Sequence, residues 1–255
     1  TVVNKKSRKM TKGKIVIMAC GSFSPPTYMH LRMFEIAKDY IHTLNLGNVV
    51  GGLVCPVHDA YGKKDLMNVD FRIAMLKLAL RSSSWVKISE WETQQSGWTR
   101  TRLTLQHHQV ITPEYIWGAF SQPPNVLARG LHPCSLTVKL LCGADLLESF
   151  ATPGLWSDED LEIIVGRHGL VVVSRAGSDP GRFIFESDML YKHRKNVILV
   201  TNYIANEVSS TQIRRLVRRG ESAKYLTDDA VLAYIRFFIR GCFIARNMDG
   251  QFFIG

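Results

Sequence analysis

Five short apolar runs, at residues 15–20, 49–55, 138–142, 170–173 and 197–200, limit most strongly what this chain can fold into. Each has the length of one strand. None alternates polar with apolar residues, as a strand with one wet face does. Runs of this kind fit strands buried on both faces, the condition of a parallel sheet. A shorter candidate strand lies at 85–88. Between the runs, apolar residues recur at helical spacing: Leu31, Phe34, Ala37, Ile41 and Leu44 in a helix beginning near His30, then Phe71, Ala74, Met75 and Leu78. A polar helical stretch is expected through Trp91, Trp98 and Leu105, and two final helices at 211–219 and 228–239. Strands alternating with helices predict an α/β fold with a parallel sheet. Ligands of such folds collect at the carboxyl ends of strands, so residues following Cys20, Cys55, Cys142 and Val173 take priority.

The expected boundaries are a disordered basic tail at 1–14, one domain at 15–236 and an atypical apolar tail at 237–255. Residues 110–136 show no period and contain Pro113, Pro123, Pro124 and Pro133, which suggests a mobile insertion. The formal net charge of +10 points to an anionic partner. Its placement narrows the choice. Residues 1–14 carry +6 and residues 236–255 carry +2, leaving only +2 for 15–235. A nucleic-acid-binding face should be basic within the folded core, so nucleic acid is not expected as a partner. No apolar run approaches the roughly 18 residues of a membrane span. The start of the chain lacks the pattern of a secretory leader. Five cysteines without a Cys-x-x-Cys pair suit neither a disulfide framework nor a zinc knuckle, and fit a reducing intracellular compartment, nucleus or cytoplasm. The basic cluster at 5–9 is a candidate nuclear address beside the plainer reading of a solvated tail.

The chemistry concentrates where strands end. After the first run comes Gly21-Ser22-Phe23-Ser24-Pro25-Pro26-Thr27-Tyr28-Met29-His30. Gly21 lets backbone approach a ligand, and the helix start directs free N–H groups and a positive dipole into the loop. The stretch is neither a Walker A loop nor a Gly-x-Gly-x-x-Gly turn. On physics alone, a turn with a helix-capping histidine is as good a reading as a phosphate site. A second candidate is Val208-Ser209-Ser210-Thr211-Gln212-Ile213-Arg214, where Ser and Thr cap a helix whose first turn presents Arg214. Lys63 follows the second strand, and a lone Lys there is more often a surface charge.

These motifs carry a resemblance. Gly-x-Phe-x-Pro followed by Thr-x-x-His resembles the nucleotidylyltransferase superfamily, with Met29 at a usual glycine. Val208 to Arg214 resembles that superfamily's Ile-Ser-Ser-Thr-x-x-Arg motif. Ala19 to Phe23 with Met29 to Glu35, and Leu140-Leu141-Cys142-Gly143-Ala144-Asp145-Leu146-Leu147-Glu148-Ser149-Phe150, are similar to the eukaryotic, insect-like nicotinamide mononucleotide adenylyltransferases. The likeness runs from about residue 15 to 235, with Cys55 at a position usually Ser. It implies a Rossmann-like single domain with helices on both faces, and transfer of the ATP adenylyl group to nicotinamide or nicotinic acid mononucleotide, giving NAD or its deamido form and pyrophosphate.

The resemblance also implies roles. His30 and Arg214 would hold the ATP phosphates, with Lys63 and Ser22 on the attacking phosphate. Trp98 would stack on the nicotinamide ring, and Leu155-Trp156 would supply the opposite face. Gly21, Phe23, Tyr61, Thr101, Gly143, Asp145, Arg175, Asn206, Ser209 and Thr211 complete the expected nucleotide site. Mg²⁺ would arrive with ATP, and no protein metal cage is expected. A homo-oligomer is expected. Two other readings stay open: a relative of the superfamily acting on another phosphate acceptor, and a nucleic-acid-binding module.

Overall fold

The computed structural model describes residues 13–119, 136–174, 177–204 and 206–238. Its centre is a six-stranded sheet: β1 (Lys14–Gly21), β2 (Asn48–Pro56), β3 (Val86–Ile88), β4 (Leu136–Gly143), β5 (Leu170–Ser174) and β6 (Val197–Thr201). The strand order is β3-β2-β1-β4-β5-β6, and every neighbouring pair is parallel. This is the doubly wound order, whose direction of winding reverses between β1 and β4. A crevice opens there beyond the strand ends.

The helices are α1 (Tyr28–Thr43), α2 (Val69–Ala79), α3 (Thr101–Ala119), α4 (Ala144–Ser149), α5 (Asp158–Leu161, continued as a π-helix over Glu162–His168), α6 (Pro180–Phe185), α7 (Asp188–Lys192), α8 (Ser210–Arg218) and α9 (residues 229–238). Alternate residues of β1 serve opposite faces. Ile15, Ile17 and Ala19 pack with Phe34, Ala37 and Ile41 of α1 and Leu76 of α2. Val16 and Met18 pack with Leu105 of α3, Leu147 of α4 and Ile164 of α5. The expected two-sided burial is what the sheet shows. Gly52 explains how closely α1 settles: a Cβ there would meet the Phe34 ring at 2.9 Å. α9 packs onto α2 through Met75, Ala79, Val231 and Ile235, with Val217 of α8 beside them, while Ile213 of α8 packs with Ala223 and with Leu232 of α9.

Several expectations shift. α1 starts at Tyr28 with Thr27 as its cap, so His30 is the third helical residue rather than the first. The anticipated helix through Trp91 and Trp98 is instead a 3₁₀ turn (Glu92–Gln94) and a bend, with α3 opening only at Thr101. Residues 110–119 belong to α3 and not to an insertion, while 120–135 lie outside the described residues. Most of both proposed tails also lies outside them. Residues 237 and 238 finish α9, and Phe238 packs on Phe71 of α2 at 4.7 Å between ring centres. Among the described residues, no helix is long and apolar enough to cross a membrane.

Candidate active site

The loop from Gly21 to Thr27 carries β1 into α1. Phe23 adopts a left-handed backbone, φ 48°, a conformation costing roughly 1–3 kcal/mol for a residue with a side chain. The result is specific packing. The Phe23 ring lies against Gly21, where a Cβ would stand 3.3 Å from it, and meets the His30 ring edge-on at 5.2 Å. Thr27 and His30 then form a reciprocal cap. The His30 N–H donates to Thr27 Oγ1 at 3.3 Å, and the Thr27 N–H donates to His30 Nδ1 at 2.9 Å. Because Nδ1 accepts, the neutral imidazole carries its proton on Nε2. Capping and ligand binding are therefore not rivals here, since the cap fixes the tautomer that a phosphate oxygen needs.

The loop is held by its carbonyl groups. Arg214 Nη1 donates to Ser24 O at 2.7 Å, Ser210 Oγ to Pro25 O at 2.8 Å, and Thr227 Oγ1 to Pro26 O at 2.7 Å. From the other side, Arg72 Nη1 donates to Ser22 O at 3.2 Å. Arg72 is fully buried and makes three further bonds, to Met67 O, Val57 O and the Asp59 carboxylate, each at 2.7 Å. One guanidinium thus ties the β1 loop to the segment after β2 that carries Tyr61 and Lys63. Sequence reading missed it. The available signal was an arginine at a core position of α2, in step with Ile73, Met75, Leu76 and Ala79.

Gly21, Ser22, Phe23, His30, Lys63, Asp145, Ser209, Thr211 and Arg214 line one cleft of about 330 Å³ at the carboxyl end of the sheet. Lys64 and Asp65, not anticipated, line it too. Two helix N-termini face it, with Thr27 and Met29 from α1 and Ser209 to Thr211 from α8. Ser209 caps α8 by accepting the Gln212 N–H at 3.2 Å. Arg214 also donates to Thr211 Oγ1 at 3.2 Å, while its Nε is buried without a hydrogen-bond partner. Burial pushes the Arg214 pKa down. Lysines, an arginine and two helix starts in one concavity suit a polyphosphate. Asp145 sits in the first turn of α4, whose cap is Gly143.

Other expected residues lie apart from this lining. Tyr61, two residues before Lys63, and Trp98 form an exposed pair, 5.9 Å between ring centres. Thr101 opens α3 and Gly143 ends β4. Leu155 is exposed. Trp156 is tied inward, its Nε1–H on Ser149 Oγ at 3.1 Å and its ring edge-on to Phe150. Asn206 lines a separate concavity of about 400 Å³ with Tyr28, Arg32 and Glu35, and shapes the approach to Ser209 by accepting the Val208 N–H at 3.2 Å. Arg175 lies outside the described residues.

Beneath the strand ends, Glu92 is 2% exposed and accepts from Thr104 Oγ1 at 3.3 Å. Burial, with negative charge at Cys55 behind it, pushes its carboxyl up to about 7. The unfolded chain releases this proton near 4.5 and the folded one only near 7. Folding therefore takes up a proton between those values. The contribution is full below about 4.5 and is lost as pH rises to about 7. Glu92→Gln should flatten that decline in thermal-unfolding curves taken across the window. An unchanged pH profile would mean that Glu92 titrates normally.

A doubly wound parallel sheet with phosphate-suited loops at its switch point is an architecture of nucleotide-binding proteins. The sequence matches the cytidylyltransferase-like family over residues 18–216. It is 54% identical over 233 residues to the nicotinamide-nucleotide adenylyltransferase of Drosophila melanogaster, covering 88% of this chain and 60% of that protein. It is 42% identical over 245 residues to nicotinamide/nicotinic acid mononucleotide adenylyltransferase 1 of Bos taurus, covering 88% and 87%. In fold it is similar to the Plasmodium falciparum nicotinic acid mononucleotide adenylyltransferase complexed with NaAD. The TM-score is 0.61 at 17% identity, covering 88% of this chain and 96% of that one. The chain belongs to the nicotinamide/nicotinic acid mononucleotide adenylyltransferase family. It spans 60% of the Drosophila relative and 58% of a Saccharomyces cerevisiae relative, but 87% of the bovine one.

Proposed function

We propose that this chain transfers the adenylyl group of ATP to nicotinamide mononucleotide, and to nicotinic acid mononucleotide, in NAD synthesis. The observation that carries the reading is the single cleft in which His30, Lys63, Arg214 and the starts of α1 and α8 meet. A phosphate oxygen of the mononucleotide attacks the α-phosphorus of ATP. The bond from that phosphorus to the bridging oxygen breaks, and pyrophosphate leaves. No side-chain nucleophile is needed, so catalysis is alignment and charge neutralisation. His30 donates from Nε2 to the phosphates, Arg214 neutralises charge on the leaving group, and Lys63 with Ser22 holds the attacking phosphate. Mg²⁺ accompanies ATP. Among the described residues no cluster of three or more His, Cys, Asp or Glu is arranged to hold a metal ion, so phosphates and water would supply its ligands.

The test is pyrophosphate release from ATP on adding each mononucleotide separately. Release with neither would sink the assignment, and release with one alone fixes the preference. Trp98 is exposed and paired with Tyr61, as a stacking platform for a cationic ring requires. Trp98→Ala should raise the KM for nicotinamide mononucleotide by about 2- to 30-fold, the equivalent of ~0.5–2 kcal/mol, with the KM for ATP little changed. Equal effects on both substrates would remove Trp98 from the ring site.

A further inference from the structure

Directly behind the cleft, the residues that precede Gly21 and Pro56 are Cys20 and Cys55. They are register partners on adjacent parallel strands. Both side chains belong to the α3 side of the sheet. Cys55 is fully buried there, and Cys20 packs against the same core while keeping some exposure. Neighbouring strands run about 4.8 Å apart, and a disulfide spans Cα atoms about 4.4–6.8 Å apart. His108 of α3, also buried, brings Nε2 to 3.8 Å from Cys55 Sγ and 2.9 Å from Ser89 Oγ. Glu92 is the remaining titratable group facing the pair. Burial pushes the Cys55 thiol up, but hydrogen bonds from Cys20 and His108, with the His108 charge, outweigh this and bring it down to about 6. The Cys20 thiol is pushed up in turn, first by its hydrogen bond to Cys55. Thiol and thiolate thus sit side by side, and neither has a part in adenylyl transfer.

We propose that Cys20 and Cys55 are a redox-active pair, open to small two-electron oxidants such as hydrogen peroxide, whose disulfide slows the enzyme. Peroxide, entering on the side where Cys20 is exposed, oxidises the Cys55 thiolate to a sulfenic acid, and the hydroxide released takes the His108 proton and leaves as one water molecule. Cys20 Sγ attacks the Cys55 sulfur, its proton passing to the sulfenic oxygen. The S–S bond forms as the sulfenic hydroxyl departs, protonated, as a second water. Two thiols lose two electrons and one peroxide gains them. Closing the bond brings the sulfurs to about 2.05 Å. It pulls together the strand ends that deliver Ser22 and the Lys63 segment, where small displacements weigh heavily on alignment.

The loss of activity rests on the proposed function, while the disulfide itself does not. The full chain would be treated with hydrogen peroxide, alkylated, digested and mapped by mass. Pyrophosphate release would be followed before and after. The expected result is a cross-linked peptide joining Cys20 to Cys55, lighter by two hydrogens, and a fall in turnover of about tenfold or more that dithiothreitol reverses. Cys55→Ser should keep its activity through the same treatment, and Cys20→Ala serves as a second variant should the first fold poorly. Equal inactivation of parent and variants overturns the proposal, as does an inactivated protein without the Cys20–Cys55 link. A mapped link with unchanged turnover overturns it too. If the reaction assignment itself fails, the untreated enzyme releases no pyrophosphate.

Discussion

His30→Ala should lower turnover about a hundred- to a thousandfold, the usual loss when one donor to a charged reacting centre is removed. The size follows from what surrounds the ring. The Thr27 N–H occupies Nδ1, so the proton sits on Nε2 in the neutral form, and the Phe23 edge fixes the ring plane. An alanine loses that donor. It also loses half of the reciprocal cap of α1, a cost of about 0.5–2 kcal/mol in stability. The two losses separate experimentally. Steady-state kinetics with saturating ATP and mononucleotide report the first, and thermal unfolding reports the second. A folded variant forming NAD at near-normal rate would falsify the phosphate-donor role and leave His30 as a helix cap.

Arg72→Met should destabilise the fold by about 3–5 kcal/mol. Methionine fills much of the same volume but strands the carbonyls of Ser22, Val57 and Met67 and removes the partner of Asp59. Asp59 keeps one bond, from the Val69 N–H at 3.0 Å, so its carboxylate is not wholly abandoned. Arg72→Lys is the informative companion. It keeps the charge but cannot reach four acceptors in a planar fork, so it should recover only part of the stability. Denaturant titration of the three proteins decides. A cost below about 1 kcal/mol for Arg72→Met would mean that water or neighbouring groups readily replace the guanidinium.

The strands were legible because burial on both faces leaves nearly continuous apolar runs, broken in the β4 run only by Lys139. α1 was legible from its helical period, although its Thr27 cap was not, and α8 was legible because it opens on capping Ser and Thr residues. The short helices α4, α6 and α7 were not, since five or six residues complete too little of a period to register. Trp91 and Trp98 misled differently. Their spacing suits a helix, but here it belongs to a 3₁₀ turn and a bend whose aromatics pair with His107 and Tyr61. In the site, the two loops that line the cleft could be read from motif and position. Arg72 could not, because its partners come from three separate stretches of chain and an arginine ordinarily marks a wet face. The Cys20–Cys55 pairing was equally hidden, since only the register of β1 against β2 makes neighbours of residues so far apart.

The clamp on the first loop has a consequence for how the protein is made. Ser22 to Thr27 leave the ribosome well before their partners, for three successive carbonyls of that loop are held by Arg214, Ser210 and Thr227, close to two hundred residues later. The nascent chain therefore carries this loop unfinished while the roughly two hundred residues that follow it are made. A polypeptide ended between Lys63 and Ser210 would contain His30 and Lys63 and still lack all three of these fastenings.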